Sequence, residues 1–127
     1  LRLVQNDLFH LGSEFNRVTS TDEVATQPRI EARHIRQIDE IIAYLYEGLG
    51  PLKNFTLPGG APSAASLHLA RSVCRRAERE IVALARSENV GALALKYLNR
   101  LSDALFLMAR SENKRHDTVE LVWDSYK

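Results

Sequence analysis

The sequence lacks the features that mark secreted, membrane-spanning and nucleic-acid-binding proteins. It has one cysteine, Cys74, in 127 residues, so no disulfide can form within the chain. No apolar run approaches the ~20 residues of a membrane-spanning helix. The 17 basic and 16 acidic residues leave a net charge of +1, which creates no general field for nucleic acid or an anionic membrane. We therefore expect no nucleic-acid partner and no membrane partner.

The cysteine and the first residue also bear on where the protein works. A single cysteine on an apolar helix stripe is typical of a buried structural thiol in a reducing compartment, which predicts a cytoplasmic location. The sequence begins at Leu1, not at Met, and is already in a helical pattern there. We interpret it as lacking its true N-terminus, and a targeting peptide upstream is compatible with it.

What the sequence does have is helical periodicity. With 45% hydrophobic residues the chain can build a core, and almost no strand-like alternation occurs. The pattern predicts an all-α fold, with one up-and-down helical bundle of four main helices over residues 1–127. The four apolar stripes are Leu1, Val4, Leu8, Leu11 and Phe15; Ile35, Ile38, Ile42, Leu45 and Leu49; Leu67, Ala70, Cys74, Ala77, Ile81 and Leu84; and Ala94, Leu98, Leu101, Leu105 and Met108.

The ends of these helices are predicted from proline, glycine and polar residues. Pro28 suits the first position of the second helix. The polar stretch before it, residues 19–27, is expected to be a flexible loop. The first helix is expected to end near residues 14–17. The second is expected to run from 28 to 48 or 50, the third from 62 to 87, and the fourth from 92 to 112.

Two segments lie outside this periodicity. Between residues 48 and 61, Leu52, Phe55 and Leu57 are interspersed with glycines and prolines, which predicts a packed, shaped loop and not a solvated linker. The C-terminal stretch Asp117-Thr-Val-Glu120 has the spacing of a helix cap with a carboxylate three residues on. It predicts a short C-terminal helix reaching about residue 123.

The third helix carries charges directly beside its core stripe. Arg71, Arg75 and Glu78 follow the apolar rhythm one residue on, whereas Arg76 and Arg79 are expected to face solvent. Charges at the edge of a core are partly desolvated and need partners. Because the arginine fork pairs with carboxylates and with phosphates, two interpretations stay open: an ion-pair array between subunits, or an anion site.

Other chemistries have weaker support. Glu31 and His34 form one Glu-x-x-His step, but a di-iron carboxylate bundle needs that motif twice and two further inward glutamates. We therefore expect these two residues at the helix surface. On the fourth helix, Asn99, Arg100 and Asp103 suit a structural polar network between helices. No Ser/His/Asp or Cys/His catalytic set and no phosphate-binding glycine loop is apparent.

The loop and two helix motifs resemble a known family. The loop reads Phe55-Thr-Leu-Pro-Gly-Gly60, the third helix Arg71-Ser-Val-Cys-Arg-Arg-Ala-Glu-Arg79, and the fourth helix Tyr97-Leu-Asn-Arg-Leu-Ser-Asp103. In this order and spacing they resemble the PduO-type ATP:cob(I)alamin adenosyltransferases, from residue 55 to residue 110. The resemblance implies a ferritin-like bundle that forms a homotrimer, with ATP and corrinoid meeting at each subunit interface.

The resemblance also implies a reaction. Members of the family transfer the 5′-deoxyadenosyl group of ATP to cob(I)alamin, releasing triphosphate and forming adenosylcobalamin, and they hold Co(II) four-coordinate before it is reduced. The implied cofactors and substrates are ATP, Mg²⁺ and cobalamin. A cob(II)alamin reductase and an adenosylcobalamin-dependent acceptor enzyme are implied as further partners.

By position, the resemblance assigns roles to individual residues. Arg75 matches a catalytic residue at the nucleotide, Asn99 matches a further ATP contact, and Glu78 matches one that supports the ATP site. Phe55 matches the aromatic that closes over the lower face of the corrin and acts in catalysis. Arg71 matches a residue that pairs with a carboxylate across the subunit interface. Two further residues are assigned to the wall of the ATP site, Arg100 and Asp103.

One departure from the family pattern leaves alternatives open. An N-terminal phosphate loop of the Thr-Lys-x-Gly-Asp-x-Gly-x-Thr type is absent from this sequence, and so is the family's first helix, with the carboxylate that would face Arg71. The main alternative is a non-catalytic trimeric cobalamin-binding or delivery module that keeps Phe55 but has lost the nucleotide site. A di-iron carboxylate bundle is the third hypothesis.

Overall fold

The computed structural model describes residues 1–16, 27–124 and 126. Four α-helices follow one another: α1 (Arg2–Phe15), α2 (Ala32–Leu49), α3 (Pro62–Leu84) and α4 (Ala92–Arg115). Within these ranges there is no β-strand, only an isolated antiparallel bridge between Thr56 and Val122. The prediction of an all-α bundle with four main helices is confirmed. The predicted flexible loop, apart from Gln27, lies outside the described residues.

The core forms where α4 packs along both α3 and α2. Tyr97, Leu98 and Leu101 of α4 and Ile38 of α2 are among the most deeply buried side chains. Full burial of one such apolar side chain contributes about 1.5–3 kcal/mol, so this seam dominates the stability of the bundle. No helix in the described part of the chain is both long enough and apolar enough to cross a membrane.

Cys74 lies in this core, as predicted. Its thiol donates a hydrogen bond to the Leu98 carbonyl oxygen, with an Sγ to O distance of 3.3 Å. Desolvation raises the pKa of the thiol to about 11, and the nearby Glu78 carboxylate adds to the rise. The sulfur is therefore protonated at neutral pH and serves packing, not nucleophilic chemistry.

The start of α2 differs from the prediction. The helix begins at Ala32, not at Pro28, because Glu31 and His34 form a reciprocal capping box. In it the Glu31 backbone N–H donates to His34 Nδ1 at 2.9 Å. His34 is 1% exposed, so the expected surface position is wrong for this residue. The Glu-x-x-His step is a helix-start signal here.

A buried polar contact ties α1 to the other helices. Asp7 is buried, and its Oδ2 accepts a hydrogen bond of 2.9 Å from the Tyr97 hydroxyl of α4. Its other carboxylate oxygen lies 3.9 Å from His34 Nε2 of α2. Burial, together with the bond to Asp7, raises the pKa of Tyr97 far above its ordinary value. The hydroxyl thus remains a donor to Asp7 at any working pH.

The loop between α2 and α3 has a defined backbone path, but its apolar side chains are not packed as predicted. Leu52, Phe55 and Leu57 are all exposed, so the prediction that they pack is wrong. The loop is held instead through its backbone and by a buried asparagine of α4, Asn113, whose Nδ2 donates to the Gly59 carbonyl oxygen at 3.1 Å. The glycines and prolines therefore fix the path of the chain without burying its apolar side chains.

The prediction of a short C-terminal helix is wrong. After α4 the chain runs extended and lies against the α2–α3 loop. The Leu57 N–H donates to the Leu121 carbonyl oxygen, and the Trp123 N–H donates to the Phe55 carbonyl oxygen, both at 2.8 Å. These bonds satisfy backbone groups that a helix would otherwise satisfy internally.

The carboxylate that suggested a helix cap has a different partner. Glu120 Oε2 lies 3.1 Å from Arg110 Nε of α4, and both side chains are largely buried. A charge-assisted bond to a largely buried arginine is stronger than one to an exposed backbone amide. The capping pattern was therefore overridden by a tertiary contact that no local spacing reveals.

Candidate functional site

A polar cluster joins the charged face of α3 to α4. Arg75 Nη1 donates to Glu78 Oε2 one turn further along α3, and Asn99 Nδ2 of α4 donates to Glu78 Oε1 at 3.0 Å. Both oxygens of Glu78 are engaged, and its side chain is 14% exposed, whereas that of Arg75 is 46% exposed. Glu78 therefore orients the Arg75 guanidinium and leaves its other donors accessible.

The surface around this cluster is positively charged. A depression of about 430 Å³ is lined by Arg75, Glu78, Arg79, Val82, Ala83 and Arg86. Three arginines and one glutamate give this face an excess of positive charge. Guanidinium groups present paired N–H donors that match phosphate oxygens. The cluster is thus suited to an anionic group such as a polyphosphate.

A second polar group links α4 to α2. Arg100 Nε donates to Asp39 Oδ1 of α2 at 2.5 Å, and Arg100 Nη1 lies 3.5 Å from Asp103 Oδ2. The residues Asn99 and Arg100 are neighbours in sequence but contact different helices. The structure therefore unites Arg75, Glu78 and Asn99. Arg100 instead joins Asp39 of α2 to Asp103 of its own helix.

Asp39 was not found from the sequence, although a signal for it exists. It follows the core residue Ile38 by one position, just as Arg75 follows Cys74. A charge one residue after a core position lies at the edge of the helix interface, where it reaches a neighbouring helix. The same rule that singled out the α3 arginines would have selected Asp39.

Phe55, the predicted corrinoid contact, lies on the exposed loop between α2 and α3. Its side chain is 74% exposed. Its ring meets the ring of Trp123 edge-on, with centroids 6.2 Å apart and planes at 72°. Its contacts therefore come from the C-terminal segment, whereas those of Arg75 come from α3 and α4.

Arg71, the predicted interface residue, has its positive charge near an aromatic ring. Its guanidinium carbon lies 5.8 Å from the ring centroid of Phe106. Its Nε is buried and, among the described residues, has no hydrogen-bond partner. The same holds for Nδ1 of His68, whose pKa is lowered by burial and then by the charge of Arg71. A buried donor without a partner points to an acceptor supplied from outside these residues.

The di-iron hypothesis finds no ligand set. The described residues include no group of three or more His, Cys, Asp and Glu side chains that could together hold a metal ion. His34, the histidine on which that hypothesis rests, receives the Glu31 N–H at Nδ1. The Glu31 carboxylate bonds to Arg33 at 3.1 Å. Both residues of the motif are engaged in starting α2.

Relatives of known activity match nearly the whole chain. The profile of a family described as cobalamin adenosyltransferase matches residues 1–112. A cobalamin adenosyltransferase of Cupriavidus metallidurans is 38% identical over 120 residues, which are 94% of this chain and 61% of that protein. A corrinoid adenosyltransferase of Bacillus subtilis is 42% identical over 125 residues, 98% of this chain and 62% of that protein. The chain thus spans less than two thirds of the length of these relatives.

Solved structures agree with the sequence comparisons. A variant PduO-type ATP:corrinoid adenosyltransferase from Lactobacillus reuteri, complexed with cobalamin and ATP, has a TM-score of 0.86 and 30% identity. The match covers 98% of this chain and 68% of that one. A second variant from the same organism, complexed with ATP, gives a TM-score of 0.84 at 29% identity, over 97% and 68% of the two chains.

Proposed function

The chain belongs to the cobalamin adenosyltransferase family, and on that premise we propose that the protein transfers the 5′-deoxyadenosyl group of ATP to cob(I)alamin. The electron pair of Co(I) forms a bond to the ribose 5′ carbon. The bond between that carbon and the triphosphate oxygen breaks, and triphosphate leaves with the bonding pair. The products are adenosylcobalamin and triphosphate.

The observation that supports this proposal most is the Arg75–Glu78–Asn99 cluster. Cobalt supplies the nucleophile, so the protein contributes alignment and the stabilisation of charge on the leaving triphosphate. Arg75 provides a guanidinium that Glu78 already holds in place, which lowers the reorganisation needed when negative charge develops. Asn99 fixes Glu78 from α4, so we assign it to the same ATP site.

Arg100 and Asp103 have a less direct role in the proposed ATP site. Arg100 contacts Asp39 of α2 and Asp103 of its own helix, whereas the cluster joins α4 to α3. We propose that Arg100 and Asp103 form the outer wall of the ATP site and hold α4 in register with α2. Their removal would then affect ATP binding less than removal of Arg75.

Phe55 is the residue we propose to act on the corrinoid. An exposed phenylalanine on a glycine-bounded loop can lie against the lower face of the corrin and displace the axial ligand. Four-coordinate Co(II) is then easier to reduce to Co(I). The apolar surface that Phe55 exposes is explained by this ligand.

Assembly and location complete the proposal. We propose a cytoplasmic homotrimer in which Arg71 pairs with a carboxylate of the neighbouring subunit. The buried Nε of Arg71, which lacks an acceptor among the described residues, supports this role. A cob(II)alamin reductase and an adenosylcobalamin-dependent enzyme would supply the reduced corrinoid and receive the product.

Mg²⁺ has no dedicated ligand set in the described part of the chain. The family's use of ATP implies the ion, but the described residues provide no cluster of three or more metal-binding side chains. Mg²⁺ commonly reaches a protein through substrate phosphates and one or two carboxylates. We therefore assign it to the phosphates of ATP and derive no step from it.

An anaerobic assay tests the proposal. The full-length protein is incubated with ATP, Mg²⁺, cobalamin and a strong reductant while the corrinoid spectrum is followed, with a reaction lacking ATP as the control. We expect adenosylcobalamin to form only when ATP is present. Tight corrinoid binding without ATP-dependent turnover would reject the transferase and support the non-catalytic delivery module instead.

A further inference from the structure

The C-terminal segment 117–124, called the tail below, and the α2–α3 loop share an anchor in α4. Asn113 is buried, and its Oδ1 accepts from the Ala61 N–H at 2.9 Å while its Nδ2 donates to the Gly59 carbonyl oxygen at 3.1 Å. Its own carbonyl oxygen accepts from the Thr118 N–H at 2.8 Å. One residue thus holds the end of the loop and the beginning of the tail.

The loop approaches this anchor too closely for a side chain. Gly60 has a φ of 103°, and a Cβ atom built on it would overlap the Asn113 side chain. Only glycine meets both conditions without strain. On the other side, Asp117 has a φ of 49°, which turns the chain out of α4 and into the tail. The backbone conformations of Gly60 and Asp117 therefore direct the loop and the tail toward each other.

The second connection joins the tail to the loop at Phe55 and the residues that follow it. The tail accepts a bond from the Leu57 N–H through the carbonyl of Leu121, and it donates the Trp123 N–H to the Phe55 carbonyl. The isolated bridge lies between these bonds. The edge-on ring of Trp123 then limits the directions that the Phe55 side chain can take. The tail is in contact with the backbone and the ring of the same residue.

The third connection fixes the tail to α4. The Glu120 carboxylate pairs with Arg110 through Oε2, and its Oε1 is buried without a hydrogen-bond partner among the described residues. A largely desolvated carboxylate depends on its one cation, because little water is present to replace it. Loss of the charge on Glu120 would therefore release the tail from α4.

From these contacts we infer that the tail positions Phe55 for the reaction, and that Trp123 and Glu120 are positioning residues acting through it. This inference rests on the function proposed above. Phe55 has little packing of its own, so without the tail its loop would sample many conformations. A side chain that must cover one face of a corrin has to be held to within a fraction of an ångström.

Kinetics of matched variants test the inference. We expect Trp123→Ala and Glu120→Gln to lower kcat by about 10- to 100-fold, the range that a displacement of about 1 Å can cause, with the KM for ATP unchanged. Trp123→Phe keeps an aromatic edge and should restore most of the rate. The control is Val119→Ala, which changes a tail side chain that is 82% exposed and should leave kcat unchanged.

Hydrogen exchange supplies a readout that does not depend on activity. The amides of Leu57 and Trp123 should exchange more slowly than those of an unpaired loop, because both donate backbone bonds. In Glu120→Gln we expect faster exchange at these two amides and unchanged exchange in α3. Unchanged exchange in this variant would overturn the inference, and so would faster exchange with normal turnover. A wild-type protein that makes no adenosylcobalamin would instead overturn the proposed function.

Discussion

The two parts of the proposed site are built in opposite ways. The Arg75–Glu78–Asn99 cluster is held by side chains on two packed helices, and its backbone is fixed by the helices themselves. The Phe55 region consists of two irregular segments held by a few backbone bonds, with both aromatic rings more than half exposed. The charged part is thus rigid, and the apolar part is held by contacts that can be broken separately.

This difference matches the two demands of the proposed chemistry. Stabilising charge on a leaving triphosphate requires donors that do not move when the charge appears. Admitting a large, flat corrinoid and then covering one of its faces requires a segment that can yield and return. Changes to the rigid part should therefore cost the most activity, changes to the yielding part should cost less, and changes elsewhere should act mainly on stability.

Arg75→Ala should have the largest effect. It removes the proposed charge stabiliser, so we expect adenosyl transfer to fall by about 10²–10³-fold. The thermal unfolding temperature should change little, because alanine and arginine both favour helix. Arg76→Ala, which removes an exposed arginine at the next position of the same helix, is the control and should retain activity. Equal losses of activity in both variants would show that the Arg75–Glu78–Asn99 cluster has no specific role in the reaction.

Phe55→Ala should have the next largest effect, and it should be confined to the corrinoid. We expect turnover to fall by about 10- to 100-fold, with less four-coordinate Co(II) in the absorption and magnetic circular dichroism spectra. Because the side chain is 74% exposed, the free energy of unfolding should stay nearly constant. Normal formation of four-coordinate Co(II) in this variant would show that another group covers the corrin.

Gly60→Ala should act on stability through the anchor of the loop. A Cβ atom at this position would meet Asn113 and force a left-handed backbone on alanine, so we expect a loss of about 1–3 kcal/mol in the free energy of unfolding. Gly12→Ala is the matched control, since Gly12 lies in α1 with open space around its Cβ position. That change should stabilise by about 0.5–1 kcal/mol. Denaturant titration of both variants distinguishes the steric conflict between a side chain at position 60 and Asn113 from a general effect of introducing alanine.

The smallest effect is expected from His34 and depends on pH. Burial lowers the pKa of His34 below its ordinary value of 6.5. The unfolded chain then binds the proton more readily than the folded one, so this histidine's contribution to stability is complete above pH 6.5 and declines as the pH falls below it. His34→Gln keeps a side chain suited to the capping box. We expect unfolding temperatures of this variant to fall less between pH 7 and 5 than those of the wild type.

Helical periodicity predicted the bundle because it is a local property. The stripes of α2 and α4 and the burial of Cys74 follow from spacings of three and four residues, and the structure confirms them. The charges beside the core of α3 also follow from spacing, and their need for partners is met for Arg75 by Glu78. Which of them meets ATP came from the family resemblance and stays a prediction.

The contacts that the sequence did not predict join distant residues. The Tyr97 hydroxyl reaches Asp7 across 90 positions. Asp7 follows Val4 by three residues and precedes Leu11 by four, so the spacing of the buried α1 residues includes it, but an aspartate is not counted in an apolar stripe. The tail pairs with the loop through backbone groups, which carry no residue-specific signal. The Glu31–His34 step also carries a capping signal, which neither the weighed metal pattern nor the expected surface position takes into account. Local spacing therefore predicts helices well and their polar connections poorly.

The buried Cys74 thiol makes the protein convenient for chemical labelling. With a pKa of about 11, only about one molecule in ten thousand carries a thiolate at pH 7, and the sulfur lies within the core. The sequence contains no other cysteine. A dye or spin label attached after Val119→Cys would therefore report on the tail alone, and its mobility could be followed as ATP and corrinoid are added in turn.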